Sequence, residues 1–411
     1  MKMTEKTLPF TKEQIEELTR EYPTPFYIYD EIGIRNTARQ LYNAFSWVPD
    51  FKNYFAVKAL PNPEILRLLK EEGMGADCSS LPELILSEMA GITGENIMFT
   101  SNDTPGEEFR KARELGAIIN LDDITHIDFL EKEAGMPEIL CFRYNPGPLR
   151  EGNKIIGNPV EAKYGLTTEQ IFEAYRIARD KGVKRFGLHT MIVSNMLDVN
   201  YLIETGRMLF DLVEKISDKI GIKFEFVNLG GGIGIPYKLE DRAVDLQEFS
   251  EGVRKAYGGR GKKKNQLNIV MESGRAITGP HGYLISRVRH VARKYRDYIG
   301  LDACMANLMR PALYGAYHHI TAIGKEGWPL DHVYDVTGSL CENNDKFAIQ
   351  RNLPKIKPGD LLAIHDAGAH GHAMGFQYNG KLRSAEFLFD GNFRMIRRAE
   401  TMKDYFAALN F

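Results

Sequence analysis

The chain has 411 residues, of which 43% are hydrophobic and 26% charged, and 53 basic side chains nearly balance 55 acidic ones. A soluble globular chain of this length is expected to form two domains. The charge balance argues against nucleic acid or an anionic membrane as a partner, and the apolar stretches are too short to span a bilayer. Four widely spaced cysteines and a charged N-terminus predict a reducing, cytoplasmic location.

The first predicted strand lies at about 24–29, before the first helix of the larger domain, and is expected to join a β domain formed later in the chain. From about residue 53, short β-rich runs alternate with amphipathic helical patterns. The eight predicted strands are 53–57, 75–78, 96–100, 117–120, 139–144, 185–190, 224–228 and 268–272. The helical patterns between them include 63–72, 81–90, 105–115, 168–181 and 199–220. A basic run at 260–264 is interpreted as a solvated loop.

Eight alternating strand and helix units predict parallel strands that close into a (β/α)8 barrel, with a doubly wound open sheet as the competing fold. After about residue 283 the strands follow one another without long helices, at 283–291, 316–322, 332–336, 360–364 and 384–389. This pattern indicates a mostly antiparallel β domain. We therefore predict an α/β TIM barrel at 32–282 and a β domain made of 1–31 and 283–411.

Residues with catalytic chemistry stand where these predicted barrel strands end. Lys58 follows the first strand, His189 ends the sixth, Gly230-Gly231-Gly232 follows the seventh and Glu272 ends the eighth. Barrel enzymes place their active sites at this end, so these residues are expected to meet. A lysine desolvated in a pocket there would have a lowered pKa and react with carbonyls.

Each of these residues also has a structural reading. Lys58 could be a surface lysine, His189 a core histidine, the glycines a tight turn and Glu272 the partner of Arg275 in a salt bridge. The glycines lack both the Rossmann spacing and the lysine of a nucleotide-binding loop, but their amides could cradle a phosphate. A carboxylate such as Glu272 could keep a pyridine nitrogen protonated. Together the four features describe a site for pyridoxal phosphate.

The chain resembles the fold-type III pyridoxal-phosphate decarboxylases along nearly its whole length, and within them it looks most like the diaminopimelate decarboxylases. The matching segments are 54–59, 162–165, 230–234, 272–275, 310–318, 341–345, 366–369 and 378–379. By this resemblance Lys58 binds the cofactor covalently, His189 stacks on its ring and Glu272 meets its ring nitrogen. The resemblance also implies that the cofactor is bound by Ser194, Gly230, Gly231, Gly232, Gly274, Arg275 and Tyr378.

The resemblance further implies an obligate homodimer in which the Cys341-Glu342 loop completes the partner subunit's site, with Cys341 as the proton donor. Substrate charge favours meso-2,6-diaminopimelate, which is decarboxylated to L-lysine in lysine biosynthesis. Its distal carboxylate would suit cations and its distal amine an anion. The expected substrate-binding residues are Arg275, Arg310, Tyr314, Glu342 and His370.

The sequence departs from the family at several positions near the ligand. Ser273 stands where the family has proline, and His370 stands where it usually has tyrosine. Another amino acid of related shape, such as D-lysine, D-ornithine or a carboxylated polyamine precursor, therefore stays open, as do racemisation and a catalytically silent regulatory homologue. A metal site is not expected, although His318, His319, His365, His370 and His372 could suggest one, because pyridoxal phosphate supplies its own electron sink.

Overall fold

The computed structural model describes residues 5–153, 155–258 and 267–410, so the basic run at 260–264 lies outside the described residues. The described chain divides into two units. The barrel unit is formed by 37–235 and 243–276, and the β unit by 5–36, 236–242 and 277–410. Before the barrel, the chain forms helix α1 (Lys12–Glu21) and strand β1 (Phe26–Asp30).

Eight parallel strands form a closed barrel, which confirms the predicted TIM barrel and excludes the open sheet. They are β2 (Lys52–Ala56), β3 (Gly75–Cys78), β4 (Ile97–Phe99), β5 (Ile118–Leu121), β6 (Ile139–Tyr144), β7 (Arg185–Thr190), β8 (Phe224–Asn228) and β9 (Asn268–Met271). The barrel closes where Lys52 pairs with Val270 and Asn53 with Met271.

The helices that connect the strands begin and end at residues with clear signals. In the third helix, Pro63 occupies the first turn and the Asn62 side chain accepts a hydrogen bond from the Glu64 N–H. Thr167 and Gln170 form a capping box at the start of the seventh. The helices are α2 (Glu31–Ala44), α3 (Pro63–Glu71), α4 (Leu81–Met89), α5 (Gly106–Glu114), α6 (His126–Ala134), α7 (Thr168–Asp180), α8 (Val199–Ile220) and α9 (Leu246–Tyr257).

The inside of the barrel is filled by side chains from six of its strands. The buried cluster consists of Tyr54, Met98, Ile118, Ile139, Cys141, Phe226 and Val270. Each large side chain that is fully buried contributes roughly 1.5–3 kcal/mol of hydrophobic stabilisation. The barrel interior is therefore a packed core, and polar chemistry is left to the ends of the strands.

The β unit contains a nine-stranded sheet that is mostly antiparallel. Besides β1, its strands are β10 (Gly282–Arg293), β11 (Asp297–Leu301), β12 (Ile320–Ala322), β13 (His332–Thr337), β14 (Lys346–Leu353), β15 (Leu361–Ile364), β16 (Ala385–Phe389) and β17 (Phe393–Arg397). Strand β1 pairs antiparallel with β10 and parallel with β16, so the N-terminal segment joins this sheet as predicted. Three short helices complete the described elements: α10 (Arg275–Thr278), α11 (Arg310–Tyr314) and α12 (Met402–Phe406).

The sheet of the β unit packs one face against α1 and the residues before it. Phe10, Ile15, Phe26, Tyr283 and Phe387 are among the buried residues of this core. Phe10 contacts Tyr283 edge to face at 5.4 Å between ring centroids, a favoured aromatic geometry. None of the helices in the described chain is both long enough and apolar enough to cross a bilayer.

Candidate active site

Four barrel strands carry a buried polar residue at their penultimate position. These residues are Asp77 in β3, Asn120 in β5, Arg143 in β6 and His189 in β7. Side chains alternate between the two faces of a strand, so residues at equivalent positions point the same way. The four side chains therefore meet at the carboxyl end of the barrel, where (β/α)8 enzymes have their active sites.

His189 is held between an amide and a carboxylate. Asn120 Nδ2 donates to His189 Nδ1 at 2.7 Å, and Nε2 of the same ring lies 3.1 Å from Glu272 Oε2. An amide nitrogen can only donate, so Nδ1 is the acceptor and the ring proton is on Nε2, which faces Glu272. The other carboxylate oxygen of Glu272 accepts a hydrogen bond from Asn228 Nδ2 at 2.6 Å.

The Glu272 carboxylate is buried but stays ionised. Burial alone would raise the pKa of Glu272, yet the neighbouring His189 and Lys58 and the hydrogen bond from the Asn228 amide hold this pKa below its usual value. Glu272, predicted as the last residue of its strand, lies directly after β9, and its N–H donates to the Gly230 carbonyl at 2.8 Å. A buried anion is thus fixed at the centre of the barrel mouth.

Lys58 lies in a single 3₁₀ turn, Val57–Ala59, that follows β2. Its Nζ is 3.7 Å from Asp77 Oδ2, and 54% of its side chain is exposed. The prediction of a desolvated lysine amine is therefore wrong, because the turn lifts Lys58 beyond the buried end of the strand. Burial, reinforced by Glu272, raises the pKa of Asp77 well above its usual value, and Lys58 opposes this.

The three glycines form a turn that no side chain could enter. A Cβ at Gly230, Gly231 or Gly232 would lie 2.2 Å from Thr190 O, 2.6 Å from Glu272 O and 2.6 Å from Val193 O, respectively. The Gly230 N–H donates to Asn228 Oδ1 and the Gly231 N–H to Met191 Sδ. Within the described chain, the Gly232 and Ile233 N–H groups donate to no protein acceptor.

Ser194 and Arg275 lie together in the barrel unit. An Arg275 Nη donates to Ser194 Oγ at 3.2 Å, and the Arg275 side chain is buried. Arg275 begins α10, directly after Gly274. At Ser273, the N–H donates to Asn53 Oδ1 at 2.8 Å, a bond that the family's proline could not make.

Sequence reasoning missed several side chains of the barrel mouth. Arg143 stacks on the Tyr164 ring, with its Cζ 3.8 Å from the ring centroid, and approaches Asp122 Oδ1 at 3.5 Å. Burial raises the pKa of Asp122, and Arg143 opposes that rise. Asp77, Asn120 and Asn228 were also missed, although each stands in the last two positions of a predicted strand.

The remaining predicted site residues belong to the β unit. Arg310 and Tyr314 lie on α11, and Arg310 is buried. Cys341 is exposed, and its N–H donates to Asn379 Oδ1 at 2.9 Å, which ties its loop to the segment containing Tyr378. Glu342 Oε1 accepts from the Asn344 N–H. His370 adopts a left-handed backbone with φ +55°.

The family model described as "Pyridoxal-dependent decarboxylase, pyridoxal binding domain" matches residues 33–279. The chain belongs to the pyridoxal-dependent decarboxylases. Protein TabA of Pseudomonas amygdali pv. tabaci is 45% identical, over 95% of this chain and 92% of that protein. Diaminopimelate decarboxylase of Methanothermobacter thermautotrophicus is 36% identical, over 96% and 93%. Among solved structures, diaminopimelate decarboxylase from M. jannaschii in co-complex with L-lysine has a TM-score of 0.88 at 31% identity, over 95% and 93% of the two chains.

The barrel mouth of this pyridoxal-dependent decarboxylase fits its cofactor, pyridoxal phosphate. An ionised buried carboxylate suits a protonated pyridine nitrogen. The Gly232 and Ile233 N–H groups and the Ser194–Arg275 pair offer donors of the kind that phosphate requires. Among the described residues there is no cluster of His, Cys, Asp and Glu suited to a metal ion. All four cysteines lie in the described part of the chain, and none is paired in a disulfide.

Proposed function

We propose that this enzyme decarboxylates meso-2,6-diaminopimelate to L-lysine and carbon dioxide, as a cytoplasmic homodimer that serves lysine biosynthesis. The observation that carries the proposal is Arg310, a buried arginine whose guanidinium is already oriented. Its Nη1 donates to His318 Nε2 at 2.9 Å, and its Cζ lies 4.7 Å from the centroid of the Tyr237 ring. A fixed, buried guanidinium suits a carboxylate, and diaminopimelate differs from lysine and ornithine by its distal carboxylate.

We assign the following roles to the residues of the barrel unit. Lys58 holds the cofactor covalently, and Ser194, the 230–232 turn, Gly274 and Arg275 bind its phosphate. His189 stacks on the ring, oriented by Asn120, and Glu272 keeps a proton on the ring nitrogen. When bound, pyridoxal phosphate withdraws the electron pair that carbon dioxide leaves behind.

Residues of the β unit receive the roles that concern the substrate. Arg310 and Tyr314 bind the distal carboxylate, and Glu342 binds the distal amine; Arg275 is also assigned to substrate. Cys341 returns a proton to the substrate α-carbon after carbon dioxide has left, acting in the partner subunit's site. His370 contacts substrate, and Tyr378 contacts cofactor. The exposure of Cys341 is consistent with a thiol that acts outside its own core.

A second candidate is the decarboxylation of another amino acid of related shape. The observation that favours it is the 45% identity to protein TabA, which exceeds the 36% identity to diaminopimelate decarboxylase. His370, which has a left-handed backbone, stands where the family usually has tyrosine. This difference also favours a substrate other than diaminopimelate.

Arg310→Met tests the substrate assignment. We expect it to lower kcat/KM for meso-diaminopimelate at least about tenfold, because a charged hydrogen-bond pair in a closed site is lost. D-lysine, which lacks the distal carboxylate, should be affected much less. Arg287→Met, which removes a surface arginine bound to the Gly359 carbonyl, is the matched control and should leave both substrates unchanged. Equal losses on both substrates in Arg310→Met would contradict the assignment.

A further inference from the structure

Lys6 is a charged side chain buried near the beginning of the described chain. Only 8% of the side chain is exposed. Its Nζ donates to Pro236 O at 2.6 Å, to Asp366 Oδ1 at 2.8 Å and to Asp366 Oδ2 at 2.7 Å. A lysine ammonium is almost never buried unless all of its charge is compensated. Three acceptors match its three N–H donors, so this contact is built and specific.

The two anchors of Lys6 lie on separate segments of the β unit. Pro236 begins the segment 236–242, and Asp366 follows β15 by two residues. The Asp366 carboxylate is buried, and its backbone has a left-handed φ of +57°. Aspartate is one of the few residues besides glycine that adopt this conformation readily. Lys6 therefore ties the N-terminal segment to two segments of the chain that are distant in sequence.

The residue next to each anchor supports Arg310. Tyr237, adjacent to Pro236, places its ring against the Arg310 guanidinium. His365, adjacent to Asp366, accepts a hydrogen bond on its carbonyl from His318 Nδ1 at 2.8 Å. A carbonyl can only accept, so His318 Nδ1 carries the proton and its Nε2 accepts from Arg310. Two contacts that orient Arg310 thus depend on a residue next to one that Lys6 binds.

Lys6 also pairs with the buried Asp366 carboxylate, whose charge Arg310 senses. Burial raises the pKa of Asp366 to about 6, while Lys6 and, more weakly, Arg310 oppose that rise. Without Lys6, the Asp366 carboxylate would compete for the Arg310 guanidinium or take up a proton. Either change would alter the electrostatic field in which Arg310 binds a substrate carboxylate.

We propose that Lys6 is a positioning residue for Arg310: by binding Pro236 and Asp366 it holds the Arg310 guanidinium in place for a substrate carboxylate. This inference rests on the proposed function. The N-terminal segment then contributes to substrate specificity. Lys6 acts by holding Arg310 and need not touch substrate.

The test is a double-mutant cycle between Lys6→Met and Arg310→Met, measured as kcat/KM for meso-diaminopimelate and D-lysine on the cofactor-loaded enzyme. Alone, Lys6→Met should lower kcat/KM for meso-diaminopimelate about fivefold or more, mainly through KM, and leave D-lysine nearly unchanged. In the Arg310→Met background the same change should cost less than about twofold, because the residue that it positions is gone. Lys6→Arg, which keeps the charge, should recover most of the activity.

Lys12→Met is the matched control, because Lys12 lies in the same N-terminal region, is about half exposed and pairs with Glu16 on its own helix. It should behave as the wild type. If Lys6→Met does not fold, the cycle is repeated with Lys6→Met/Asp366→Asn, which leaves no buried charge unpaired but still releases Pro236. Additive losses in the cycle, or equal losses on both substrates, would overturn the proposal for Lys6 alone. If Arg310→Met itself spares meso-diaminopimelate, the proposed substrate fails, and the role of Lys6 fails with it.

Discussion

Lys58 shows how a single residue can be located correctly from sequence while its environment is not. The predicted strand end is followed by a one-turn 3₁₀ helix, so the amine is exposed and faces Asp77. Because the Lys58 amine is exposed, an incoming aldehyde can reach it. Covalent attachment of pyridoxal phosphate requires this access. The residue was predicted from its place after the strand. Its exposure depends on the backbone of the turn 57–59, which the sequence pattern does not reveal.

We expect Lys58→Ala to abolish the visible absorbance of the bound cofactor, because this substitution removes the amine that holds it. Borohydride reduction of the wild-type enzyme followed by peptide mapping should place the pyridoxyl group on Lys58. Lys52→Ala, at the opposite end of β2, is the control and should keep the absorbance. A pyridoxyl group on any other lysine would contradict the assignment.

The buried polar residues of the barrel mouth were only partly predictable. Glu272 stood out because it belongs to a motif, and His189 because a histidine ends a predicted strand, whereas Asp77, Asn120 and Arg143 are isolated polar residues inside apolar runs. Their shared feature, the penultimate position of a strand, becomes visible once the barrel is known. Which of them touch one another depends on the stagger between strands, and the sequence of one strand does not contain that information.

At the scale of elements, the strands of the barrel were predictable because each is a short apolar run between amphipathic helices. The β unit was harder. The strands β11, β14 and β17 were missed, since each mixes charged and apolar residues, and β14 and β17 lie at the two ends of the sheet order. Edge strands carry polar side chains on both faces, so they lack the alternation that marks a half-buried strand.

The glycine turn after β8 makes a prediction about stability. In Gly231→Ala the new Cβ would lie 2.6 Å from the Glu272 carbonyl oxygen, so this backbone must move. We expect a loss of about 1–3 kcal/mol in the free energy of unfolding and weaker cofactor retention. Urea denaturation and cofactor content measure the two effects.

Gly206→Ala in α8 is the matched control for this glycine. A Cβ there meets its nearest neighbours at 3.7 Å, and alanine favours a helix by up to about 1 kcal/mol over glycine. The control should be neutral or stabilising. A Gly231→Ala variant as stable as Gly206→Ala would show that the turn is not packed as described.

The His319–His365 pair predicts how the stability of the protein depends on pH. Their rings are 5.2 Å apart, and burial, with His319 and Lys6 adding to it, lowers the pKa of His365 to about 3. Burial, with Arg351 and Lys6 adding to it, lowers the pKa of His319 to about 4. In the unfolded chain a histidine titrates near pH 6.5. The unfolded state therefore binds protons that the folded state rejects, and stability falls as the pH drops below about 6.5.

We expect His365 to account for about 2 kcal/mol or less of the stability lost between pH 7 and pH 5. His365→Gln, which can still bond Thr321, should reduce the difference between urea denaturation curves recorded at these two pH values. His332→Gln, at a surface position beside Asp331, should leave that difference unchanged. An unchanged pH dependence in His365→Gln would mean that His365 does not stay neutral in the folded protein.

At the scale of the whole molecule, the proposed homodimer can be tested by mixing subunits. Lys58→Ala and Cys341→Ala should each be nearly inactive alone. Statistical exchange makes about half of the dimers mixed, each with one intact site of two, so about a quarter of wild-type activity should return. Absence of recovery despite verified exchange would mean that Cys341 does not act in the partner subunit's site.

We propose that this pyridoxal-phosphate decarboxylase acts on meso-diaminopimelate. The most direct measurement is carbon dioxide release by the cofactor-loaded enzyme from meso-diaminopimelate, D-lysine, L-lysine, ornithine and arginine, with the amino-acid or amine product identified. We predict that kcat/KM is at least about tenfold higher for meso-diaminopimelate than for any of the others, because only this substrate offers a distal carboxylate to Arg310. The product should be L-lysine. Faster turnover of an amino acid without that carboxylate would contradict the claim.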